Sequence, residues 1–557
     1  MENKIDPLLS IGLCFSGGGY RAAAFSLGVL SYLNKIKYNE MPLILKLEAL
    51  STVSGGTITG VYYALSNYKK IPFEEFYTTF YNFLNNDLLL DTALKKLEDD
   101  KLWMNNHKNR SLINAFALAY HEILKLGSFE DFEKDTKTNL KDVCFNATDF
   151  AYGLAFRFQN SGNFGNKPLY NAILNKLKGK VRLADVIASS SCFPFCFEPM
   201  IFPDDYFDDH NAIEYKELKQ KEKYRFGIGL MDGGIVDNQG IGSMVNIDKR
   251  RKDNALSAII VCDVGSYKMD QWLKAEKRFD DEKKGITINH TITNILRFLN
   301  FNWYNWAITL AGVLLIALNS MHILLDKPWG YLYVAGGFLI GVGIVLMLIG
   351  TFTSLFRVWI KVFFNNLYQK NVPKELIEDV AAFKNLDIAL VKRMLLDRLT
   401  SAVTMISEVF LNQIRRLNYK LLYEKKEYKD RAITTTVYQL NGIKATLGVS
   451  FKPNPKILPH PTKKINESSL IASEMPTTLW WDGDDRNVNR LDNLIAAGQF
   501  TTCYNIMEYI LKLKNKGITS AVLETLFNDL QKDWRLLNDT PLFFVNKSDK
   551  IEPQRHK

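Results

Sequence analysis

Two tight turns about thirty-five residues apart restrict this chain more than any other feature. The first, Ile11-Gly12-Leu13-Cys14-Phe15-Ser16-Gly17-Gly18-Gly19-Tyr20-Arg21, is a short apolar run that breaks into three glycines and opens a helix-forming segment, Ala22 to Ile36. The second, Leu47-Glu48-Ala49-Leu50-Ser51-Thr52-Val53-Ser54-Gly55-Gly56-Thr57, repeats the pattern with a serine at the corner. Strand, turn and helix in consecutive units predict an α/β chain. A serine at a strained strand-to-helix corner needs small neighbours, which Gly55, Gly56 and Thr57 supply. The bare amides of Gly17, Gly18 and Gly19 can converge near a helix N-terminus, where negative charge is favoured. Ser54 is therefore a candidate nucleophile facing an oxyanion hole.

Nucleotide chemistry fits less well. Gly17-x-Gly19-x-x-Ala22 matches a dinucleotide fingerprint, but the next strand ends in Thr52-Val53-Ser54 without the acid that holds a ribose, and Glu40 lies before that strand. No lysine follows the glycines, which disfavours a phosphate-binding P-loop.

Ser16-Gly17-Gly18-Gly19-Tyr20-Arg21-Ala22 followed by Ser54-Gly55-Gly56 resembles the patatin-like phospholipases, including bacterial ones, and the related cytosolic phospholipase A2 catalytic core. The family motif is G-x-S-x-G, and Thr52 stands here in place of its first glycine. The resemblance implies a three-layer α/β/α fold with a mostly parallel central sheet, Ser54 as the acylated residue and Gly17 to Gly19 as the oxyanion hole. It also implies that Asp232, in Asp232-Gly233-Gly234 after the strand-like Phe226 to Met231, is the general base of a Ser-Asp dyad. Asp237 is its neighbouring rival. Arg21 and Gly55 are candidate substrate-binding residues, and neither a cofactor nor a metal is expected. Val143 to Asp149 and Tyr152 to Phe158 read as strands, and the former ends in the family's Ala-Thr-Asp. Val186 to Pro194 resembles the family's small-residue segment lining the site. Ile71 to Leu140 is a helical, aromatic insertion suited to a lid or acyl pocket, or to simple packing. Ala255 to Val264 reads as a strand buried on both faces.

Histidines weigh against a Ser-His-Asp triad, because none stands at a strand-end turn; His290 has the right chain order but lies in a charged stretch. The cysteines sit mostly in apolar runs, and Cys192-x-x-x-Cys196 lacks zinc-site spacing. With 557 residues, 47% of them hydrophobic, the chain can bury a large core, and its formal charge of +10 is scattered lysine without a nucleic-acid motif. Membrane phospholipid is the expected partner, with no nucleic acid, and a homo-oligomer is compatible with the chain.

Trp303 to Leu325 and Trp329 to Phe356 are nearly free of charge, and each is long enough for a hydrocarbon core about 30 Å thick. Trp303, Tyr304, Trp306, Trp329, Tyr331 and Tyr333 gather at their ends as an aromatic belt would. Gly337-x-x-x-Gly341 suits close helix contact, and His322 within the first span is expected to face the second helix or the far interface. Lys283, Lys284, Arg297, Arg357, Lys361 and Lys370 flank the hairpin and prefer the cytoplasm, while the start, Met1 to Asp6, has no apolar signal core. The expected organisation is a catalytic domain over 8–265, a charged linker over 266–300, a transmembrane helical hairpin over 301–356 and a mainly helical C-terminal region over 357–557 packing on the catalytic domain. Within that last region Ala432 to Leu440 reads as a strand, Leu491 to Leu511 as a helix, and Arg415, Arg416, Lys420, Lys425 and Lys426 as a basic, solvated or lipid-facing surface.

These expectations describe a membrane-anchored serine lipid acyl hydrolase cleaving acyl esters of glycerophospholipids through an acyl-enzyme. It would sit in a bacterial inner membrane with the catalytic domain and both termini cytoplasmic. An acyltransferase using the same dyad and a non-enzymatic membrane scaffold are the alternatives.

Overall fold

The run Ile11–Phe15 forms β1, buried throughout as its lack of alternation predicts. The computed structural model describes residues 6–104, 107–133, 138–265, 303–323, 327–371, 388–442 and 451–545. Seven further strands join β1 in one sheet: β2 (Leu47–Val53), β3 (Asp142–Asp149), β4 (Leu154–Gln159), β5 (Met200–Phe202), β6 (Ile228–Asp232), β7 (Ala258–Asp263) and β8 (Ala432–Thr436). Their order is β8-β7-β1-β2-β3-β6-β5, with β4 also on β3. From β8 to β3 the strands are parallel, and β4, β5 and β6 run antiparallel to their neighbours.

Alternate residues of each inner strand serve two cores. Leu13, Phe15, Ile260 and Cys262 face a large cluster with α1 (Gly19–Lys35) and the helix Arg490–Asn515, whereas Cys14, Ile259 and Val261 face Ile241–Arg250 and Leu422. This is a three-layer α/β/α arrangement. α1 begins at Gly19, three residues earlier than the apolar spacing predicts. It meets Arg490–Asn515 through backbone, since a β-carbon on Gly28 would lie 2.0 Å from the Ile495 carbonyl oxygen. The C-terminal region thus contributes both β8 and a helix against α1.

One detail of the sheet brings two strand ends together. β4 occupies one edge of β3 from Cys144 to Asp149. On the opposite edge β2 pairs in parallel up to Val53↔Asn146, and β6 pairs antiparallel from Ala147↔Asp232 onward. The C-terminal ends of β2 and β6 therefore meet head to head beside Asn146 and Ala147.

Contacts divide the chain into two compact units, residues 1–271 with 405–557, and residues 272–404. In the second unit, Gly330–Ile349 is long and apolar enough to cross a membrane, with a mean hydropathy of 2.5 and only 11% of the window buried. The preceding helix, Trp303–Ser320, is apolar over Trp306–Ser320, which falls short of that length. Of the two expected spans, one helix reaches that length among the described residues, and the end of the other falls partly outside them. His322 lies just beyond the first helix, exposed and at φ 57° in a turn. The close packing of the two helices is also shifted: Gly312 and Gly336 approach each other's backbone, while a side chain on Gly337 or Gly341 would meet nothing within 4 Å. Asn319 exchanges two hydrogen bonds of 3.1 Å with the backbone of Trp329. The linker over 266–300, with Lys283, Lys284, His290 and Arg297, lies outside the described residues, as do the side chains of Arg357, Lys361 and Lys370.

Candidate active site

Ser54 follows β2 directly and precedes α2 (Gly55–Tyr68), at φ 51° and ψ −126°. A non-glycine residue held there costs roughly 1–3 kcal/mol, so the surroundings must impose it. Ser190, at the end of the helix Leu183–Ser190, is the restraint. Its hydroxyl accepts from the Ser54 amide at 2.9 Å and donates to the Asn146 carbonyl at 2.6 Å. Thr57 reaches Ser190 at 2.8 Å and Thr52 at 2.9 Å. The departure at Thr52 is absorbed by Gly60 of α2, where a β-carbon would lie 2.5 Å from the Thr52 methyl. Gly55 lies against Gly19, leaving no room for a side chain between the two turns.

Asp232 closes β6, its amide donating to the Cys192 carbonyl at 2.9 Å. The next amide, of Gly233, donates to the Ser190 carbonyl at 3.2 Å. The Asp232 carboxylate accepts the Gly234 amide at 2.7 Å, and the Ser54 hydroxyl lies close enough to favour its charged form. Burial pushes this carboxyl up to about 6, and the Ser54 hydroxyl and Gly234 amide offset only part of that rise. Asp237, the rival, serves elsewhere. It accepts from the Ser243 amide at 3.1 Å and from Asn418 at 2.9 Å, tying down the helices Ile241–Arg250 and Leu411–Tyr423.

In the glycine turn the three residues divide their tasks. The Gly17 amide donates to the Asn238 carbonyl at 2.9 Å, so the expectation that it belongs to the oxyanion hole is corrected: its contribution is space, with Ser54 Cβ 3.1 Å from where its own β-carbon would stand. Gly18 and Gly19, at φ 147° and 55°, line the cavity at the start of α1, where negative charge is favoured. The Tyr20 amide is taken by the Thr478 carbonyl at 2.8 Å. Arg21 is buried and binds the Met475 carbonyl at 2.8 Å, leaving Nε as a buried donor without a partner; burial and the nearby Arg415 lower its guanidinium to about 10.

Around these groups lies a cavity of about 520 Å³. Leu112 and Phe116 from the helical insertion, Phe193 from the small-residue segment, Phe197 just after it, and Leu479 build an apolar wall. Arg21, Arg415 and Glu408 give it a polar end. Arg415, expected on a basic solvent-facing surface, instead turns inward and binds Asp263 at 2.6 Å, while Arg416, Lys420, Lys425 and Lys426 stay exposed. Burial alone would raise the Asp263 carboxyl, but the Arg415 guanidinium outweighs it and, with the Gly265 amide and the Tyr419 hydroxyl, holds it below its ordinary value. The strap Pro476–Trp480 borders the cavity and is anchored by the Trp481 indole on the Leu84 carbonyl at 2.8 Å. Ser190 falls within the small-residue segment expected to line the site, Asn146, Asn238 and Asp263 carry no motif of their own, and the sequence offered no signal for the inward turn of Arg415. Among the described residues no group of three His, Cys, Asp or Glu side chains is placed to hold a metal ion.

A comparison with curated proteins finds no match for the chain. The family model described as Patatin-like phospholipase matches residues 13–245, the segment holding both strand ends and the glycine turn. The chain thus carries a patatin-like phospholipase domain, and by that domain it is a lipid acyl hydrolase, a carboxylic ester hydrolase.

Proposed function

We propose that the chain is a membrane-anchored serine hydrolase that cleaves acyl esters of glycerophospholipids through Ser54 and Asp232. The Ser54 hydroxyl beside a buried carboxylate, with no cation among the groups that shift it, in the wall of one apolar cavity carries this reading. Asp232 accepts the serine proton as Oγ attacks the ester carbonyl, and the amides of Gly18 and Gly19 receive the developing oxyanion. Collapse of the tetrahedral intermediate breaks the ester bond, and the leaving alkoxide takes the proton back from Asp232. A water then gives its proton to Asp232, attacks the acyl-enzyme and releases the fatty acid as Ser54 is reprotonated.

The apolar wall suits one acyl chain, and the arginines at the other end suit a phosphate-bearing head group. Support for anchoring comes from Gly330–Ile349 and from exposed Tyr304, Trp306, Trp329, Tyr331 and Tyr333 at the helix ends of the second unit. We place both flanks of the apolar pair on the cytoplasmic side of a bacterial inner membrane. Anchoring raises the effective concentration of lipid at the site without adding a contact to it. The test is fatty-acid release from phospholipid vesicles by the purified full chain: Ser54→Ala, with unchanged circular dichroism, is expected to abolish it, and retained release would refute the assignment.

A further inference from the structure

The end of the sheet that holds Ser54 continues outward into an apolar rim. Val53 pairs with Asn146 and Asp232 with Ala147, so Ser54, Ala147 and Asp232 share one level. β3 runs on to Asp149, turns at Phe150 and returns as β4 from Leu154. At about 3.3 Å per residue, Phe150 stands roughly 10 Å beyond that level. Phe150 is 56% exposed, Tyr152 43% and Leu154 42%. β6 starts at the same end, two residues after Phe226, which is 85% exposed. Phe195, 56% exposed and at φ 71°, caps the loop whose Phe193 and Phe197 line the cavity. That loop reaches Pro199, and Pro199 and Phe150 both border Gly229. Pro199 thus brings the loop that carries Phe195 next to the turn that carries Phe150.

Cations accompany them. The Lys223 ammonium lies 5.9 Å from the Tyr152 ring and the Arg225 guanidinium 5.3 Å from the Phe226 ring. Of the acids nearby, Asp149 is buried and accepts from the Tyr152 amide and from Asn166, Glu198 accepts from the Leu112 amide, and Glu222 is exposed. Large exposed apolar side chains on turns at one end of the sheet, fringed by cations, match a phospholipid interface, where rings enter the head-group layer and cations meet phosphates.

We propose that this rim, formed by Phe150, Tyr152, Leu154, Phe195 and Phe226 with Lys223 and Arg225, docks on a phospholipid bilayer and sets the cavity mouth against it. The inference rests on the lipid hydrolase reading above. Docking lets an ester reach Ser54 from the interface without passing through water. A small water-soluble ester needs no such contact.

The experiment uses the full chain in vesicles of phosphatidylcholine and phosphatidylglycerol. Phe150→Asp with Phe226→Asp is expected to lower fatty-acid release from the vesicle lipid at least tenfold, while hydrolysis of p-nitrophenyl butyrate stays within twofold. Unchanged lipid release would overturn the proposal, and so would an equal fall in both rates. A readout free of catalysis separates the docking face from the active-site reading. With Cys196→Ser to remove the exposed thiol, an environment-sensitive dye on Phe226→Cys should emit further to the blue in vesicles than the same dye on Lys532→Cys. Loss of hydrolysis in Ser54→Ala with that shift intact supports both readings; a shift absent at 226 overturns docking alone.

Discussion

Asp232 and Asp263 are both buried carboxylates at the C-terminal ends of strands, yet their surroundings push them in opposite directions. Asp232 faces the Ser54 hydroxyl and the Gly234 amide with no cation among the groups that shift it, and burial raises it to about 6. Asp263 is equally enclosed, but Arg415 holds it below its ordinary value. A carboxyl raised toward neutrality beside a hydroxyl can exchange a proton during turnover, whereas one clamped by a guanidinium stays ionised and serves as a strut. Environment, not residue type or depth, separates the proposed base from the brace.

The largest test exchanges charge for a neutral amide at each place. Asp232→Asn removes the proton acceptor and is expected to lower the hydrolysis rate by about 10²–10⁴-fold. It should also stabilise the fold at pH 7. The folded carboxyl titrates near 6 against an ordinary 3.8, so protonation favours the folded state at low pH and that advantage is lost as pH rises through about 6. The difference corresponds to about 3 kcal/mol at neutral pH, measurable by urea unfolding. Loss of stability in Asp232→Asn would break the comparison.

Asp263→Asn should act in the opposite sense. It leaves Arg415 buried without its carboxylate, which typically costs about 3–5 kcal/mol. Here the lowered carboxyl contributes stability above its unfolded value that is lost as pH falls through its folded value. Urea midpoints for the two variants should therefore move apart at pH 7. Equal shifts would mean that Arg415 does not set the difference.

These contrasts also show which parts could be read from residue order. β1, β2 and β7 are short apolar runs covered on both faces, so their composition announces them. Ser54 and Asp232 stand in local turns whose glycines mark the spots, and local signals survive without knowledge of the tertiary structure. Arg415 gave no such signal: a cation on an amphipathic helix normally meets water, and its partner lies 152 residues earlier. The Gly17 amide was misassigned for the same reason, because its acceptor, the Asn238 carbonyl, arrives from another part of the sheet. In the second unit a glycine pattern at the right spacing pointed to Gly337 and Gly341, but helix rotation brought Gly312 and Gly336 into contact. Rotation about a helix axis depends on the packed partner and leaves no mark on spacing alone.

A pH series sharpens the first half of the comparison. Because Asp232 must be ionised to accept the Ser54 proton, the rate should rise with pH through about 6 and fall about tenfold per pH unit well below it. A water-soluble ester is the suitable substrate, since lipid ionisation does not then enter. A midpoint near the ordinary carboxylate range would show that burial does not govern Asp232 during turnover.

The smallest expected effect is at Ser190, and it separates geometry from electrostatics. Ser190→Ala removes the oxygen that accepts from the Ser54 amide and the hydroxyl that donates to the Asn146 carbonyl. Each buried group left unpaired costs about 1–3 kcal/mol, and the positive φ of Ser54 loses its main restraint. The nucleophile then samples other orientations, so kcat should fall by about tenfold while KM changes little. Ser190 touches the Asp232 carboxylate neither by hydrogen bond nor among the causes of its raised pKa, so the midpoint near 6 should stay where it is. A lower rate at an unmoved midpoint assigns Ser190 to holding the elbow. A shifted midpoint would instead mean that the carboxylate senses this hydroxyl, and that the environment separating Asp232 from Asp263 extends one shell further than the contacts at Ser54 and Gly234.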